Sequence, residues 1–302
     1  MKNRKLTVTI GIPAFNEENN IGNLIGSILS GDQAGYKLEK IIVVSDGGSD
    51  NTVNIVKSIL DKRVFVIEGN RRIGKPGRIN QIFDKAQSDI VVILDADIKI
   101  NSKLFIWNLI KPMVLDNIVQ LTSGKSIPLQ PITIAEKIAY SGIELWNEAR
   151  NSTPKASLYH CEGTNRAFRR ELYKKIIFPM ASADDVYPFL YCMENNFKFS
   201  VPEDAKVYYR LPTTISDYIK QITRALRSEN IQAQNFNKDV VKKYYTITFK
   251  IKIKTLLKRL LKDPFWTIAY VIILAIPKIL NFIDESQDNG IWEIVLSTKP
   301  QR

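Results

Sequence analysis

Asp95-Ala96-Asp97 follows the apolar run Ile90-Val91-Val92-Ile93-Leu94, which reads as a buried parallel strand. Two carboxylates two residues apart at the end of such a strand lie at the edge of an α/β sheet, where ligands bind. Hard carboxylate oxygens suit Mg²⁺ or Mn²⁺, and such a cation suits a diphosphate. Asp46 ends another apolar strand upstream. A carboxylate there accepts a hydrogen bond from uracil N3–H or from guanine N–H groups, and Gly47 and Gly48 let the backbone approach a ligand closely. Ile12-Pro13-Ala14-Phe15-Asn16-Glu17-Glu18 ends the first strand and offers backbone groups and a carboxylate to a nucleoside. Each segment alone also reads blandly, as a strand–helix turn at 12–18 and as a Gly-rich turn with a helix cap at Ser49 or Asp50. Their combination points to a metal-dependent enzyme of nucleotide sugars.

The elements that must position these residues are legible as two alternating patterns. Short β-branched runs occur at 6–12, 40–44, 64–67, 90–94 and 118–122, with helical patterns between them. Ile21, Leu24, Ile25, Ile28 and Leu29 share one helical face, with Asn16 as the expected N-cap and Glu17 and Glu18 in the first turn. A second helix carries Val53, Val56, Ile59 and Leu60, started by Ser49 or Asp50. Strand–helix alternation of this kind predicts an α/β fold with a mostly parallel sheet and right-handed crossovers. Residues 131–210 mix longer helices with a few strands, and a helix over about 214–235 carries Tyr218, Ile222 and Leu226.

Composition narrows the chemistry. The chain has 302 residues, 45% of them hydrophobic, enough for one large core or two small ones. Cys161 and Cys192 are far apart and His160 is the sole histidine, which excludes a Cys-rich zinc site and a His-rich metal site and gives no sign of a disulfide framework, so a reduced, cytoplasmic compartment is expected. His160 is expected to pack or hydrogen-bond. The net charge of +12 is concentrated in part at 250–262, where Lys250, Lys252, Lys254, Lys258, Arg259 and Lys262 stand without an acid. No nucleic-acid motif accompanies it, and nucleic acid is not an expected partner. Residues 6–12 are too short for a signal-peptide core, and no secretion signal is read.

Pro13 to Glu18, Ser45 to Thr52 and Asp95-Ala96-Asp97, in this order and spacing, resemble family 2 glycosyltransferases of the GT-A fold. Two further segments carry the same resemblance. Asn70-Arg71-Arg72-Ile73-Gly74-Lys75-Pro76-Gly77-Arg78-Ile79-Asn80 is similar to that family's GKxxALN segment, with Arg78 where Ala is common. Gly163-Thr164-Asn165-Arg166-Ala167-Phe168-Arg169-Arg170 is similar to its acceptor-side loop. The resemblance covers about 6–230. It implies a GT-A catalytic domain at 1–235, with a nucleotide-binding half at 1–125 and an acceptor-binding half at 126–235.

The resemblance implies inverting transfer from a nucleoside-diphosphate sugar, a UDP-sugar by preference. Asp46 then reads the base, Asp95 contacts the nucleoside and Asp97 ligates Mg²⁺ or Mn²⁺. Pro13, Ala14, Asn16, Glu17, Gly47, Lys75 and Ala96 line the donor site, and Arg71, Arg72 and Arg78 assist with phosphates. Gly163, Thr164 and Asn165 meet the acceptor. Ala183-Asp184-Asp185-Val186 matches the family's acidic pair at a helix start, where the second acid deprotonates the acceptor hydroxyl; that makes Asp185 the base beside Asp184, and Ser182 a possible cap. Gln221-Ile222-Thr223-Arg224-Ala225 resembles the QxxRW element with Ala225 in place of Trp; Arg224 still reaches the diphosphate, and processivity is not implied.

Residues 264–277 hold about 14 uncharged residues, short of the roughly 20 needed to span a bilayer. With the Lys-rich stretch before them, and Trp266 and Tyr270, they predict a monotopic attachment of 248–283 to the cytoplasmic face of the cell membrane. Packing on the catalytic domain is the alternative. The expected acceptor is then a glycan or lipid-linked hydroxyl. A polyprenyl-phosphate sugar synthase and a non-catalytic nucleotide-sugar-binding scaffold are the other readings. Region 236–302 is expected to form a basic and apolar, membrane-associating C-terminal region, and deletion of 248–302 is expected to release the protein from membranes and leave nucleotide binding; 291–296 is expected to form a short strand or helix.

Overall fold

The computed structural model describes residues 5–33, 35–153, 157–180, 184–283 and 296–299. The first half alternates as expected: β1 (Leu6–Ala14), α1 (Ile21–Leu29), β2 (Tyr36–Ser45), α2 (Thr52–Lys57), β3 (Val64–Ile67), α3 (Gly74–Lys85) and β4 (Ile90–Leu94). Then come β5 (Ile98–Lys99), α4 (Phe105–Leu115), β6 (Val119–Ser123), β7 (Lys125–Pro128), α5 (Ile134–Arg150), β8 (Asn165–Arg169), α6 (Arg170–Tyr173) and α7 (Val186–Glu194). The last elements are β9 (Lys198–Ser200), β10 (Lys206–Tyr209), α8 (Ile215–Asn235), α9 (Lys238–Tyr245), α10 (Phe249–Lys262), α11 (Pro264–Ile283) and a 3₁₀ turn at Leu296–Thr298.

Seven strands form one sheet in the order β3-β2-β1-β4-β8-β6-β9, and β5, β10 and β7 form a second. Only β8 runs against its neighbours in the large sheet. Alternation along the strands feeds two cores. Val8, Ile10, Ile12, Val92 and Leu94 face α1, α2 and α4, while Ile42, Val44, Val91 and Ile93 face α3, α6 and α7.

Several expected boundaries move. The first helix begins at Ile21 with Asn20 at its N-cap, not Asn16. Asn16 instead takes a φ of +52°, a region Asn tolerates, and its side-chain oxygen accepts the Ser49 N–H at 2.9 Å. The second helix ends at Lys57, so Leu60 falls outside it and stands fully in solvent at 103% exposure. Asn51 is its N-cap residue, while Asp50 accepts from the Thr52 N–H at 3.0 Å. Ser182 and Ala183 lie outside the described residues, and Asp185 itself caps α7 by accepting the Val186 N–H at 2.8 Å. Residues 291–295 also lie outside them.

The C-terminal helices pack on α5 and α8, as in the alternative reading of the tail. Trp266, Ala269, Tyr270, Ile273 and Leu274 of α11 pack on Ile138 and Ala139 of α5 and on Tyr218 and Ile222 of α8. Buried Arg259 of α10 pairs with Glu144 and with Asp263, each at 3.7 Å. Removing 248 onward would therefore strip a core face as well as a surface. The helix α11 continues through Pro277, and among the described residues no helix is long and apolar enough to cross a membrane.

Helix α5 is set by a capping box. Thr133 accepts the Glu136 N–H at 3.2 Å and Glu136 accepts the Thr133 N–H at 2.7 Å. Thr133→Ala is expected to lower stability by about 1 kcal/mol in urea unfolding, with nucleotide binding unchanged.

Candidate active site

Parallel pairing brings the ends of β1, β2 and β4 to one edge, since Ala14 lies opposite Ser45 and Gly11 opposite Ile93. Reversed strand β8 begins at that same edge, with Asn165 opposite Leu94. The Asp95 N–H therefore donates to the Thr164 carbonyl at 2.9 Å, joining residues about 70 positions apart in the chain. Pro13, Ala14, Glu17, Asp46, Asp95, Asp97, Gly163 and Thr164 thus share one edge.

Lys75, in the first turn of α3, is the centre of the cleft. Its Nζ lies 2.5 Å from Asp95 Oδ1 and 2.7 Å from Asp184 Oδ2, and it donates to the Gly163 carbonyl at 3.1 Å. A lysine at a helix N-terminus opposes the macrodipole, and the two carboxylates offset that cost. Burial alone lowers its pKa, yet Asp184 and Asp95 outweigh burial and hold it above the ordinary lysine value.

The acidic pair is split by its surroundings. Arg166, its side chain wholly buried, lies 2.7 Å from Asp184 Oδ2 and donates to the Gly163 carbonyl at 3.1 Å. Burial would raise the Asp184 pKa, but Lys75 and Arg166 hold that carboxyl well below the usual range, with Arg224 contributing. Asp185 moves the other way: burial and the Asp184 charge raise it against Arg166. One carboxylate is thus locked ionised as a partner of cations, and its neighbour is pushed toward the range of a general base.

Asp97 is half-buried, and burial, Asp95 and Glu17 push it up to about 7, while Lys299 and Lys75 pull against this. Glu17 is raised chiefly by burial, with Lys299 and Asn20 opposing. Lys299 had no signal in the sequence, because it meets the site from the far end of the chain. Its Nζ donates to the Phe15 carbonyl at 2.5 Å and to Glu17 Oε1, while its own carbonyl accepts from Asn20. The turn before it is held by the Ser297 N–H on Asp217 at 3.0 Å and by the Thr213 N–H on Ser297 Oγ at 3.1 Å. Asp97, the expected ligand, offers the hard oxygen that Mg²⁺ or Mn²⁺ takes, but nearby Asp95 is paired with Lys75 and Glu17 with Lys299, and among the described residues no group of three His, Cys, Asp or Glu side chains is placed to hold a metal ion.

Other expected residues have different settings. Asp46 is buried against α3, where its carboxylate accepts from Ile73 N–H at 2.8 Å, Gly74 N–H at 3.0 Å and Arg78 Nε at 2.8 Å. Arg78, expected to meet phosphates, is buried and turned to Asp46 instead. Gly47 holds a φ of +76° against the backbone of Arg71 and Arg72, a position a side chain would block. Arg72 lies over the Phe15 ring at 4.9 Å.

Ala14 and Ala96 are buried under the site. Asn165, expected to meet the acceptor, is fully buried with its amide on Thr164 Oγ1 at 2.9 Å, so it shapes the loop from beneath. Gly163 packs directly against the acidic pair: a Cβ there would make ordinary contact with Asp185 Cβ at 3.5 Å and Asp184 Oδ2 at 3.7 Å. Glu162, missed in the sequence, braces this loop through Arg150 at 2.7 Å and the Ser126 N–H at 2.7 Å. Gln221 and Arg224 lie on α8, with Arg224 exposed. His160 contacts Ser157 Oγ at 2.9 Å, and burial and Arg150 lower its pKa.

Known proteins carry the same pattern. The sequence model described as glycosyl transferase family 2 matches residues 9–177. An undecaprenyl-phosphate 4-deoxy-4-formamido-L-arabinose transferase of Shewanella sediminis is 30% identical over 95 residues, 30% of this chain and 29% of that protein. A poly-beta-1,6-N-acetyl-D-glucosamine synthase of Staphylococcus aureus is 31% identical over 93 residues, 30% of this chain and 21% of that protein. The matched stretch therefore spans less than a third of these relatives. A mannosyltransferase of Pyrobaculum calidifontis, solved with GDP-Man and Mn²⁺, superposes with a TM-score of 0.69 at 19% identity, over 94% of this chain and 89% of that one. At that identity the likeness is one of fold, the GT-A fold.

Proposed function

The chain belongs to glycosyl transferase family 2, and from that premise we propose an inverting, metal-dependent transfer of a sugar from a nucleoside diphosphate to a hydroxyl of a glycan or lipid-linked acceptor. The observation that carries it is the ion-paired bridge through Lys75, which joins Asp95 of the donor side to Asp184 of the acceptor side in one cleft. Asp185 takes the proton of the acceptor hydroxyl. The hydroxyl oxygen then bonds to the anomeric carbon, the carbon–oxygen bond to the diphosphate breaks, and its electron pair leaves with the nucleoside diphosphate. Inversion follows because entry and departure are on opposite faces. Lys75, Arg224 and Lys299 place positive charge where the leaving group gathers negative charge. A divalent cation, which Asp97 would hold, would supply further charge neutralisation to the leaving diphosphate.

Asp184, Arg166 and Gly163 hold the frame in which Asp185 acts. The placement of Asp185 against the Gly163 loop suits a hydroxyl acceptor, which needs a base, better than a phosphate acceptor, which does not. The base of the donor is left to a screen, since Asp46, the source of a uracil preference, is turned into α3. UDP-, GDP- and dTDP-sugars are tested by thermal shift with Mn²⁺ or Mg²⁺. One nucleotide class is expected to stabilise the protein only with metal. No response to any nucleotide with either metal overturns the transferase reading.

The membrane belongs to the same proposal. Phe249, Ile253, Leu257 and Leu261 recur every four residues on α10 and stand exposed. Exposed Lys250, Lys252, Lys254, Lys258 and Lys262 accompany them. On α11, Phe265, Ile268 and Ile272 are exposed on the side away from α5 and α8. An apolar stripe rimmed by lysines suits an anionic bilayer surface at the cytoplasmic face, at about 1 kcal/mol per basic residue near it. Ile253→Glu with Leu257→Glu is expected to reduce co-sedimentation with phosphatidylglycerol vesicles by at least about tenfold without changing Tm, since neither side chain is in the core. Undiminished co-sedimentation would remove this surface from the proposal.

A further inference from the structure

Asp46 stands where a carboxylate is able to read a base, yet its lone pairs are directed into the protein. Its Oδ1 receives the Ile73 N–H and Arg78 Nε, both at 2.8 Å, and its Oδ2 receives the Gly74 N–H at 3.0 Å. Both side chains are nearly closed to solvent, at 7% and 4% exposure. Arg78 does more than pair. Its Nη2 donates to the Arg71 carbonyl at 2.5 Å and its Nη1 to Gln81 Oε1 at 2.9 Å, so one guanidinium ties the β2 exit, the 69–74 loop and α3 together. The loop is shaped around it. A Cβ on Gly69 would fall 2.2 Å from Arg78 Nη2 and 2.4 Å from the Ser45 carbonyl, which only glycine avoids.

We propose that Arg78 is a specificity-determining positioning residue, which withdraws Asp46 from the nucleobase and turns it into a strut for the 69–74 loop. This rests on the nucleotide-sugar reading above. A carboxylate that discriminates between bases must offer a lone pair to an N–H of the base edge; here Arg78 Nε and the Ile73 N–H occupy Oδ1, and the Gly74 N–H lies on Oδ2 with Arg72 Nε 3.9 Å away. The donor base is consequently held by its faces and by the loop, with Phe15 and Arg72 at hand, and its N–H edge contributes little. The sequence signal is a single departure: Arg at a position where the resembled segment carries Ala.

The test compares each nucleotide with a form methylated at the N–H in question: UDP with N3-methyl-UDP, and GDP with N1-methyl-GDP. Binding to the full chain is measured by calorimetry with Mn²⁺. In the wild-type protein methylation is expected to weaken binding by no more than about twofold. In Arg78→Ala, where a lone pair of Asp46 is released, the methylation penalty is expected to grow at least about tenfold, and Arg78→Lys is expected to restore the wild-type ratio. A purely structural role would weaken both forms equally and leave the ratio unmoved. An equal penalty in wild type and Arg78→Ala overturns the proposal. Should Arg78→Ala not fold, Arg78→Gln takes its place, and a wild-type penalty of tenfold or more by itself overturns the proposal. Absence of any nucleotide binding instead overturns the transferase reading on which it stands.

Discussion

Asp185→Asn is expected to lower transfer to the acceptor by about 10²–10⁴-fold, the usual worth of a positioned general base. Asparagine keeps the cap, because its side-chain oxygen still accepts the Val186 N–H that Asp185 now holds at 2.8 Å. It also leaves Asp184 with Lys75 and Arg166. Nucleotide binding with metal should therefore stay within about twofold of wild type. The pH profile adds a second reading. Burial and Asp184 raise the Asp185 pKa, and the base form is the ionised one, so kcat/KM climbs with pH through a value above the ordinary Asp range. Asp185→Asn removes that limb. Turnover within tenfold of wild type would show that another group takes the proton.

Asp97→Asn is expected to do two opposite things. Without metal it stabilises the protein above about pH 7. Asp97 sits in the folded site with its pKa pushed up to about 7, against about 3.9 for a free Asp. Between those values the folded state binds the extra proton, so stability falls as pH rises from about 4 to about 7 and stays reduced above it. An amide carries no such charge. After discounting for water reaching a half-buried group, the gain at pH 8 is about 1–2 kcal/mol, or about 2–4 °C in Tm for each kcal/mol, and it vanishes near pH 4.

With Mn²⁺ and nucleotide the order reverses. Wild type gains about 2.7 kcal/mol when ligand stands at 100 times Kd, and the variant gains little because a principal oxygen donor is lost. Thermal denaturation at pH 4, 6 and 8, with and without metal and nucleotide, measures both. A variant less stable than wild type at pH 8 without metal would mean that Asp97 is held by a cation.

Much of the first half of the chain was legible because its signals are local. A strand reads as an apolar run, and the residues after it fall at the sheet edge whatever the rest of the chain does. The positions of Pro13, Asp46, Asp95 and Asp97 follow from that rule alone. What failed locally failed for local reasons too. Asn16 looks like a cap, but the chain makes a turn from Glu17 to Asn20 before α1, and Asn16 serves Ser49 instead. Leu60 fits a helical face, but the helix has already ended.

The tail shows the opposite case. Its apolar run was plain, yet a run of that length fits a bilayer surface and a protein face equally well. The fold covers one side of it and leaves the other exposed. Tyr270 and Ile273 turn inward to α5 and α8, while Ile268 and Ile272 remain outside.

By itself the sequence determined the strand–helix alternation, the edge on which polar groups collect and the kinds of groups there: carboxylates, a lysine and an adjacent acid pair. Those depend on periodicity and residue type, which are properties of short stretches. Only the tertiary structure decided the partners. The reversed strand β8 sets Gly163 beside Lys75, Arg166 reaches Asp184 from within the sheet, and Lys299 returns across the whole chain to Glu17. It also decided that Arg78 takes Asp46 for itself. Charge pairing acts over a few ångströms in space and is indifferent to distance along the chain, so no spacing in the sequence records it.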